Sequence, residues 1–430
     1  MRSIFNRFLH CGLCLMCFLC IFLPPLISIS MTYIAIAGMT VYIAYVLIRR
    51  KTGILGIRCF ELLMYFVPFL LYIIASLTFR IGGSSTSLED SAYIYNVSHI
   101  VLALFYVSVS VIFLLLFLGQ HREITENDFL RIILLAAGLE LIFFLLSYFS
   151  GGLQNYFLRF VMRNGRNELT IQNINKYKYR AHGLTGYYLD NFSYIMSGLS
   201  VLTFSHALST KKKLYLVLAA LMTFSSVIAA RTGILLSVIG FAIVYLFYNR
   251  KAKLKNILKM AGLIIITVIL LALLYTQMSD ARKELIKSAV MSTTELFSSG
   301  SKAKTGVYSE ILGADLVLPD NVLFGIGSRP ETLGHYDAFG AYIDNGYMQM
   351  IWRFGLIGMI LFIGAIIGCF IKMYRSSSEI HIRSCLVAFI VLVLLYFLKL
   401  YPVSIHGANF VYFVVPVVLY FKKHIAGDWN

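Results

Sequence analysis

The sequence predicts an all-α, polytopic integral membrane protein with about twelve transmembrane helices and two large extracytoplasmic loops. Of the 430 residues, 59% are hydrophobic and 13% are charged, and the mean hydropathy is +0.80. Soluble domains carry roughly 25% charged residues. Apolar runs such as residues 257–278 are unbroken, without the alternation of a barrel strand. Because backbone polar groups must be paired inside a bilayer, these runs are predicted to be helices, and a soluble globular protein is excluded.

The apolar runs give the predicted spans in chain order, within a single polytopic domain over residues 1–430. Each run has about the length that a helix needs to cross a bilayer. Tight hairpins are predicted at Pro24 and Pro25 and near residues 231–233. The runs are residues 8–23, 26–47, 59–79, 95–118, 131–150, 187–208, 214–230, 232–248, 259–278, 345–372, 385–402 and 407–421.

Short basic loops predict the orientation, since Lys and Arg concentrate on the cytoplasmic side. Both termini are expected in the cytoplasm. The first run continues through the proline pair into a second run, so we interpret it as a span rather than a cleavable signal peptide. The basic residues lie at Arg2, Arg7, Arg49–Lys51, Lys211–Lys213, Arg250–Lys259, Lys422 and Lys423.

This topology leaves two long segments outside the cytoplasm, and they differ in charge. Residues 151–186 form a basic loop with six basic residues and one acidic residue, whereas residues 279–344 form an acidic loop with six basic and nine acidic residues. A basic loop on the outer face opposes the usual charge distribution. It indicates either an anionic ligand, since Arg matches phosphate oxygens, or adhesion to anionic lipid headgroups.

The chain carries none of the common cofactor motifs. A Walker loop, a Rossmann glycine pattern and a zinc-binding pair of histidines are all missing from the sequence. The pair Gly325 and Gly327 is a weak signal on its own. We therefore expect no cofactor, no metal and no nucleic-acid partner.

Three polar stretches stand out, all predicted at the outer face: RAHG at residues 180–183, ARTG at residues 230–233, and DNGYMQMIWRFGLIG at residues 344–358. Together with the twelve spans and two outer loops, they resemble the Wzy-type O-antigen and capsule polymerases, to which the O-antigen ligases are related. Arg329 and Gly340 also match the Arg-x10-Gly pattern of the second large loop in that family. The first loop has no Arg-x15-Gly counterpart.

The resemblance implies a membrane-embedded glycosyltransferase of the bacterial inner membrane. It would transfer a growing glycan from undecaprenyl diphosphate to the non-reducing end of another undecaprenyl-diphosphate-linked repeat unit. Donor and acceptor are thus both lipid-linked oligosaccharides, in contact with membrane lipids, and a chain-length regulator is a possible further partner. Such polymers include O-antigen, capsule and exopolysaccharide.

The implied chemistry assigns roles to several residues. The leaving lipid diphosphate gains negative charge, which arginines can stabilise, so Arg180, Arg231 and Arg329 are assigned to diphosphate or glycan binding. Arg231 could instead extend to the headgroups. Removing the proton of the acceptor hydroxyl needs a base, for which Asp344 and His335 are candidates. Asp344, at the start of a span, also fits an N-cap.

Four further residues receive secondary assignments. His182 and Tyr336 are expected to contact sugar, although Tyr also concentrates at membrane interfaces. Arg353, near the outer end of its span, is expected to pair with Asp344 or a substrate phosphate. Gly355 is expected to permit close helix packing.

Two alternative functions remain open. An O-antigen ligase usually has His-Asn or His-Ser at the mouth of the span after the large loop, where this chain has Asp344-Asn345, but His335 lies nearby. A lipid-linked oligosaccharide flippase or transporter would also be polytopic. It would be expected to show short loops, repeats and broken or ionisable mid-membrane segments. The sequence suggests none of these features, apart from the ionisable residues Glu61, Glu140 and Lys399 within predicted spans.

Overall fold

The computed structural model describes most of the chain, and every regular element in the described ranges is helical. The described residues are 2–24, 31–50, 61–81, 87–121, 123–163, 183–185, 189–230, 232–248, 318–328, 345–377, 379–398, 401 and 405–428. The helices are α1 (Arg2–Phe22), α2 (Met31–Arg50), α3 (Val67–Ile81), α4 (Ser87–Gln120), α5 (Glu126–Phe149), α6 (Gly151–Arg163), α7 (Leu189–Thr210), α8 (Lys213–Ala229), α9 (Thr232–Tyr248), α10 (Gly346–Ser376), α11 (Ile380–Phe397) and α12. Helix α12 begins as His406–Asn409, passes through a π-helical segment, Phe410–Val414, and ends as Val415–Asp428.

Six helices in the described part of the chain are long and apolar enough to cross a membrane. They include Ser91–Gln120, Glu126–Phe149 and Gly346–Ser376, and shorter apolar helices accompany them. The protein is therefore a helical, membrane-embedded protein. Every predicted run except the ninth coincides with a helix, and the ninth, residues 259–278, lies outside the described residues.

Helix α5 begins earlier than hydropathy predicts. The run was expected to start at residue 131, but a capping box starts the helix at Glu126. The Thr125 side chain accepts the Asp128 N–H at 3.2 Å, and the Asp128 carboxylate accepts the Thr125 N–H at 3.1 Å. Such a box pairs two otherwise unsatisfied donors with polar side chains, which an apolar-run criterion does not detect.

Helix α6 occupies the beginning of the basic loop, so residues 151–163 of that loop are helical. It follows α5 after Ser150, whose carbonyl accepts the Gln154 N–H at 2.9 Å. Phe157 packs edge-on against Phe143 of α5, with ring centroids 5.9 Å apart. The aromatic contact fastens α6 to the membrane helix that precedes it.

Helix α7 is the centre of the bundle, and it packs against α8, α9 and α11. Its side chains are buried around most of the helix, including Ser193, Ser197 and Ser200. Small residues allow membrane helices to approach closely, and their hydroxyls bond across the interface. Gly240 of α9 contributes to the same packing, because a Cβ there would lie 2.3 Å from Val201 Cγ2.

A column of three tyrosines joins α7, α11 and α12. The Tyr194 ring stacks on Tyr396 at 3.8 Å and on Tyr412 at 4.3 Å between centroids. The Tyr412 hydroxyl donates to the Tyr194 carbonyl at 3.0 Å. Tyr412 lies in the π-helical segment, a feature that often accompanies functional sites.

Candidate functional site

Helix α10 is interrupted at Gly355, which has φ 71° and ψ 175°. In a continuous α-helix, the Leu356 N–H would bond to the Trp352 carbonyl and the Ile357 N–H to the Arg353 carbonyl. The break lies nine residues after the first residue of α10, about 14 Å along a helix axis. It therefore lies within a helix that is long and apolar enough to cross a membrane.

Residues 318–328, from the acidic loop, fill this break. The Trp352 carbonyl accepts the N–H groups of Ile326, at 2.9 Å, and Gly327, at 3.1 Å. These two donors replace the helical partner that the break removes.

The backbone N–H groups that follow the break donate hydrogen bonds to the same segment. The Leu356 N–H donates to the Val322 carbonyl at 2.8 Å, and the Ile357 N–H donates to the Leu323 carbonyl at 3.3 Å. Loop and helix thus exchange backbone hydrogen bonds in both directions. Irregular backbone at membrane depth is tolerated where protein or a water-filled cavity surrounds it.

Glycine is required where the two backbones meet. Gly325 has φ 67°, and a Cβ on it would lie 2.5 Å from the Gly355 nitrogen. A Cβ on Gly355 would lie 2.1 Å from the Leu323 carbonyl oxygen. The expectation that Gly355 serves helix–helix packing was wrong, because its close neighbour is the loop segment.

Side chains of helices α3 and α4 donate hydrogen bonds to backbone carbonyls at the break. The Tyr72 hydroxyl donates to the Phe354 carbonyl at 2.6 Å, and the Asn96 amide donates to the Gly327 carbonyl at 2.9 Å. Asn96 is buried. Loop, broken helix and two neighbouring helices therefore form one connected backbone network.

Arg353 lies two residues before the break and is 3% exposed. Its Nη2 donates to Gln349 Oε1 at 2.8 Å, and its Cζ lies 4.3 Å from the centroid of the Tyr401 ring. Gln349 and Tyr401 are neutral side chains that orient the guanidinium. A buried charge within a membrane helix is expensive and marks functional sites.

The hairpin predicted at residues 231–233 is present, because α8 ends at Ala229 and α9 begins at Thr232. Buried serines bind both flanks of Arg231. Ser193 Oγ donates to the Ala230 carbonyl at 3.4 Å, and Ser197 Oγ donates to the Gly233 carbonyl at 3.3 Å.

A third serine links these two. Ser226 Oγ lies 3.0 Å from Ser193 Oγ and 2.7 Å from Ser197 Oγ, and its hydroxyl donates to the Ser193 carbonyl at 2.8 Å. This network of serines is absent from the sequence-based assignments.

The end of the RAHG stretch enters the bundle at Gly183. The Thr185 N–H donates to the buried Glu140 carboxylate at 3.2 Å, and the Thr185 hydroxyl donates to the Phe22 carbonyl at 3.1 Å. Residues 183–185 thus touch both α5 and α1.

Asn345 is the N-cap of α10. Its side-chain oxygen accepts the Met348 N–H at 3.1 Å. The N-cap role that the sequence allowed for Asp344 is therefore wrong, because its neighbour fills it.

Arg353 is the only residue assigned from the sequence to catalysis or substrate binding that falls in the described ranges. The others, which are Arg180, His182, Arg231, Arg329, His335, Tyr336 and Asp344, lie outside the described residues. The structure does describe five residues that adjoin four of them, His182, Arg231, Arg329 and Asp344; these neighbours are Gly183, Ala230, Thr232, Ser328 and Asn345.

Comparison with known proteins gives no relative: no family model, no curated protein and no solved structure matches the chain. Function is therefore inferred from the residues themselves.

Proposed function

We propose that the protein polymerises lipid-linked oligosaccharide repeat units in the bacterial inner membrane, with both termini in the cytoplasm. It transfers the growing glycan from undecaprenyl diphosphate to the non-reducing end of another undecaprenyl-diphosphate-linked repeat unit. The product is an O-antigen, capsule or exopolysaccharide chain. The proposal extends the resemblance of the RAHG, ARTG and DNGYMQMIWRFGLIG stretches to Wzy-type polymerases.

The observation that carries the proposal is the buried Arg353 beside the break in α10. A buried guanidinium can bind an anionic substrate, because Arg binds phosphate oxygens with two parallel hydrogen bonds. The segment that fills the break ends at the buried Ser328, and Arg329 is the next residue in the chain. Residues 318–328 thus connect the buried Arg353 to the acidic loop that carries Arg329.

The reaction needs charge stabilisation and one proton acceptor. The bond between the anomeric carbon of the donor glycan and the diphosphate oxygen breaks, and the carbon bonds to the acceptor hydroxyl oxygen. The hydroxyl proton passes to Asp344 or His335. Arg180, Arg231, Arg329 and Arg353 stabilise the charge that develops on the leaving diphosphate.

An apolar cleft supports a lipid carrier as substrate. It is lined mainly by apolar side chains, among them Phe362 of α10 and Phe397 of α11. The Phe397 ring lies 6.4 Å from the Tyr401 ring, on which Arg353 stacks. A prenyl chain in the cleft would contact Phe397, which neighbours the tyrosine on which the Arg353 guanidinium stacks.

A flippase or transporter is the second candidate, because the break in α10 is a feature of transporters that the sequence did not suggest. In transporters, interrupted helices direct free backbone groups at the transported solute. Here the backbone groups of Trp352, Leu356 and Ile357 form hydrogen bonds with residues 322–327 instead. This arrangement favours the polymerase.

The test is the length distribution of surface polysaccharide in a strain lacking the gene and in the same strain with it restored. A polymerase predicts surface glycan with a single repeat unit in the deletion strain and a ladder after restoration. Loss of all surface glycan would indicate a flippase. Full-length polymer retained on the lipid carrier would indicate a ligase.

A further inference from the structure

The buried carboxylate of Glu140 has no role in the reaction described above. Glu140 lies in the middle of α5, is fully buried, and comes from a helix that is long and apolar enough to cross the membrane. Ionisable residues at such positions are rare and usually functional.

Hydrogen bonds and one close approach fix residues 183–185 against Glu140 and the end of α1. The Glu140 carboxyl group accepts the backbone N–H groups of Leu184 and Thr185. Glu140 Oε1 accepts the Thr185 N–H at 3.2 Å, and the Thr185 hydroxyl donates to the Phe22 carbonyl at 3.1 Å. A Cβ on Gly183 would lie 2.1 Å from Glu140 Oε1, so Gly183 is the residue that allows this approach. The segment therefore has two anchors on two different helices.

Only one of the two Glu140 carboxyl oxygens accepts a hydrogen bond from a described residue. Glu140 Oε2 has no hydrogen-bond partner among the described residues. A buried polar group whose hydrogen bonds are incomplete costs free energy. Stability alone therefore does not account for Glu140, whereas control of the position of residues 183–185 does.

We propose that Glu140 is a positioning residue that holds residues 183–185, at the end of the basic loop, at a fixed depth in the bundle. This inference rests on the proposed function, because the same stretch carries Arg180 and His182 directly before Gly183. The carboxylate acts through the backbone that it binds and does not touch the reacting atoms.

The experiment compares two replacements of Glu140 in the full-length protein. Glu140→Gln keeps an oxygen that accepts the Thr185 N–H, while Glu140→Met has a similar shape and no acceptor. Hydrogen–deuterium exchange of the purified protein measures the 184 and 185 amides, and gels measure polymer length in cells. Glu61→Met is the matched control, because Glu61 is an exposed carboxylate at the start of the helical stretch Glu61–Phe79, which is also long and apolar enough to cross a membrane.

The expected result separates the two replacements. In Glu140→Met the amides exchange about tenfold faster or more and long polymer is lost, although the protein amount is unchanged. In Glu140→Gln and Glu61→Met, both readouts stay near wild type. If Glu140→Met does not accumulate, Gly183→Ala disturbs the same contact from the other side and is expected to show the same fast exchange.

Slow exchange in both Glu140→Met and Gly183→Ala would overturn the anchor. Fast exchange together with normal polymer length would overturn the positioning role. The exchange measurement does not depend on polymerisation. If the wild-type gene fails to restore a polymer ladder, the proposed function fails while the anchor at Glu140 is still decided.

Discussion

At the scale of single residues, Arg353 links the membrane helices to the proposed chemistry. Its position was predicted near the outer end of a span, and the structure places it in the turn before a helix break. The expected pairing with Asp344 falls outside the described residues, while the contacts with Gln349 and Tyr401 were not predicted. Tyr401 lies 48 residues away in sequence, and periodicity contains no signal for such a pairing.

The first prediction concerns Arg353. Arg353→Ala is expected to lower polymerisation about 100-fold or more, because one charge-stabilising donor is removed from the transition state. Arg353→Lys keeps the charge but loses the planar stack on Tyr401, and its activity should fall between wild type and Arg353→Ala. Rates are measured with a lipid-linked repeat unit as substrate.

Arg375→Ala is the matched control for Arg353. Arg375 is an exposed arginine in the last turn of the same helix, and its loss should leave the rate unchanged. Wild-type activity in Arg353→Ala would contradict the assignment of this residue to diphosphate binding.

At the scale of elements, the break in α10 depends on glycines that come from two distant parts of the chain. Hydropathy predicted a span over residues 345–372, and the helix is present, but hydropathy does not change across Gly355. The pair Gly325 and Gly327 looked weak from the sequence because its partner lies about 30 residues further on. All three glycines have positive φ, which is the property that an unaligned sequence does not reveal.

The second prediction concerns this break. Gly355→Ala is expected to destabilise the protein by about 2 kcal/mol or more, because it forces a side chain into a left-handed conformation and onto the Leu323 carbonyl. Thermal unfolding in detergent measures the effect. Gly364→Ala, on the same helix, is the control, since no atom lies within 4 Å of its added Cβ. Equal unfolding temperatures for the two variants would contradict the described break.

At the scale of the whole molecule, the helical class and the positions of most helices could be predicted from the sequence. Apolar run length determines both, because a bilayer requires helices of about 20 residues. The arrangement of the site could not be predicted in the same way. It depends on contacts between α10 and residues 318–328, between Glu140 and Thr185, and among the serines around the α8–α9 turn, all of which join segments that are far apart in sequence.

The interrupted helix also bears on the alternative functions. The sequence argued against a transporter because its outer loops are long, its mid-span segments carry few charges and no repeat is evident. It gave no sign of the break in α10, which is a feature of transporters. The backbone hydrogen bonds that close this break favour the proposed polymerase over a transporter.

The measurement that tests the central claim most directly is reconstitution. The purified protein is placed in lipid vesicles with the lipid-linked repeat unit extracted from the deletion strain, and the products are analysed by mass spectrometry. We predict glycans of two or more repeat units on one lipid diphosphate, together with free undecaprenyl diphosphate, and their loss in Arg353→Ala. A wild-type protein that leaves every repeat unit unjoined, while moving the substrate across vesicle membranes, would contradict the proposal.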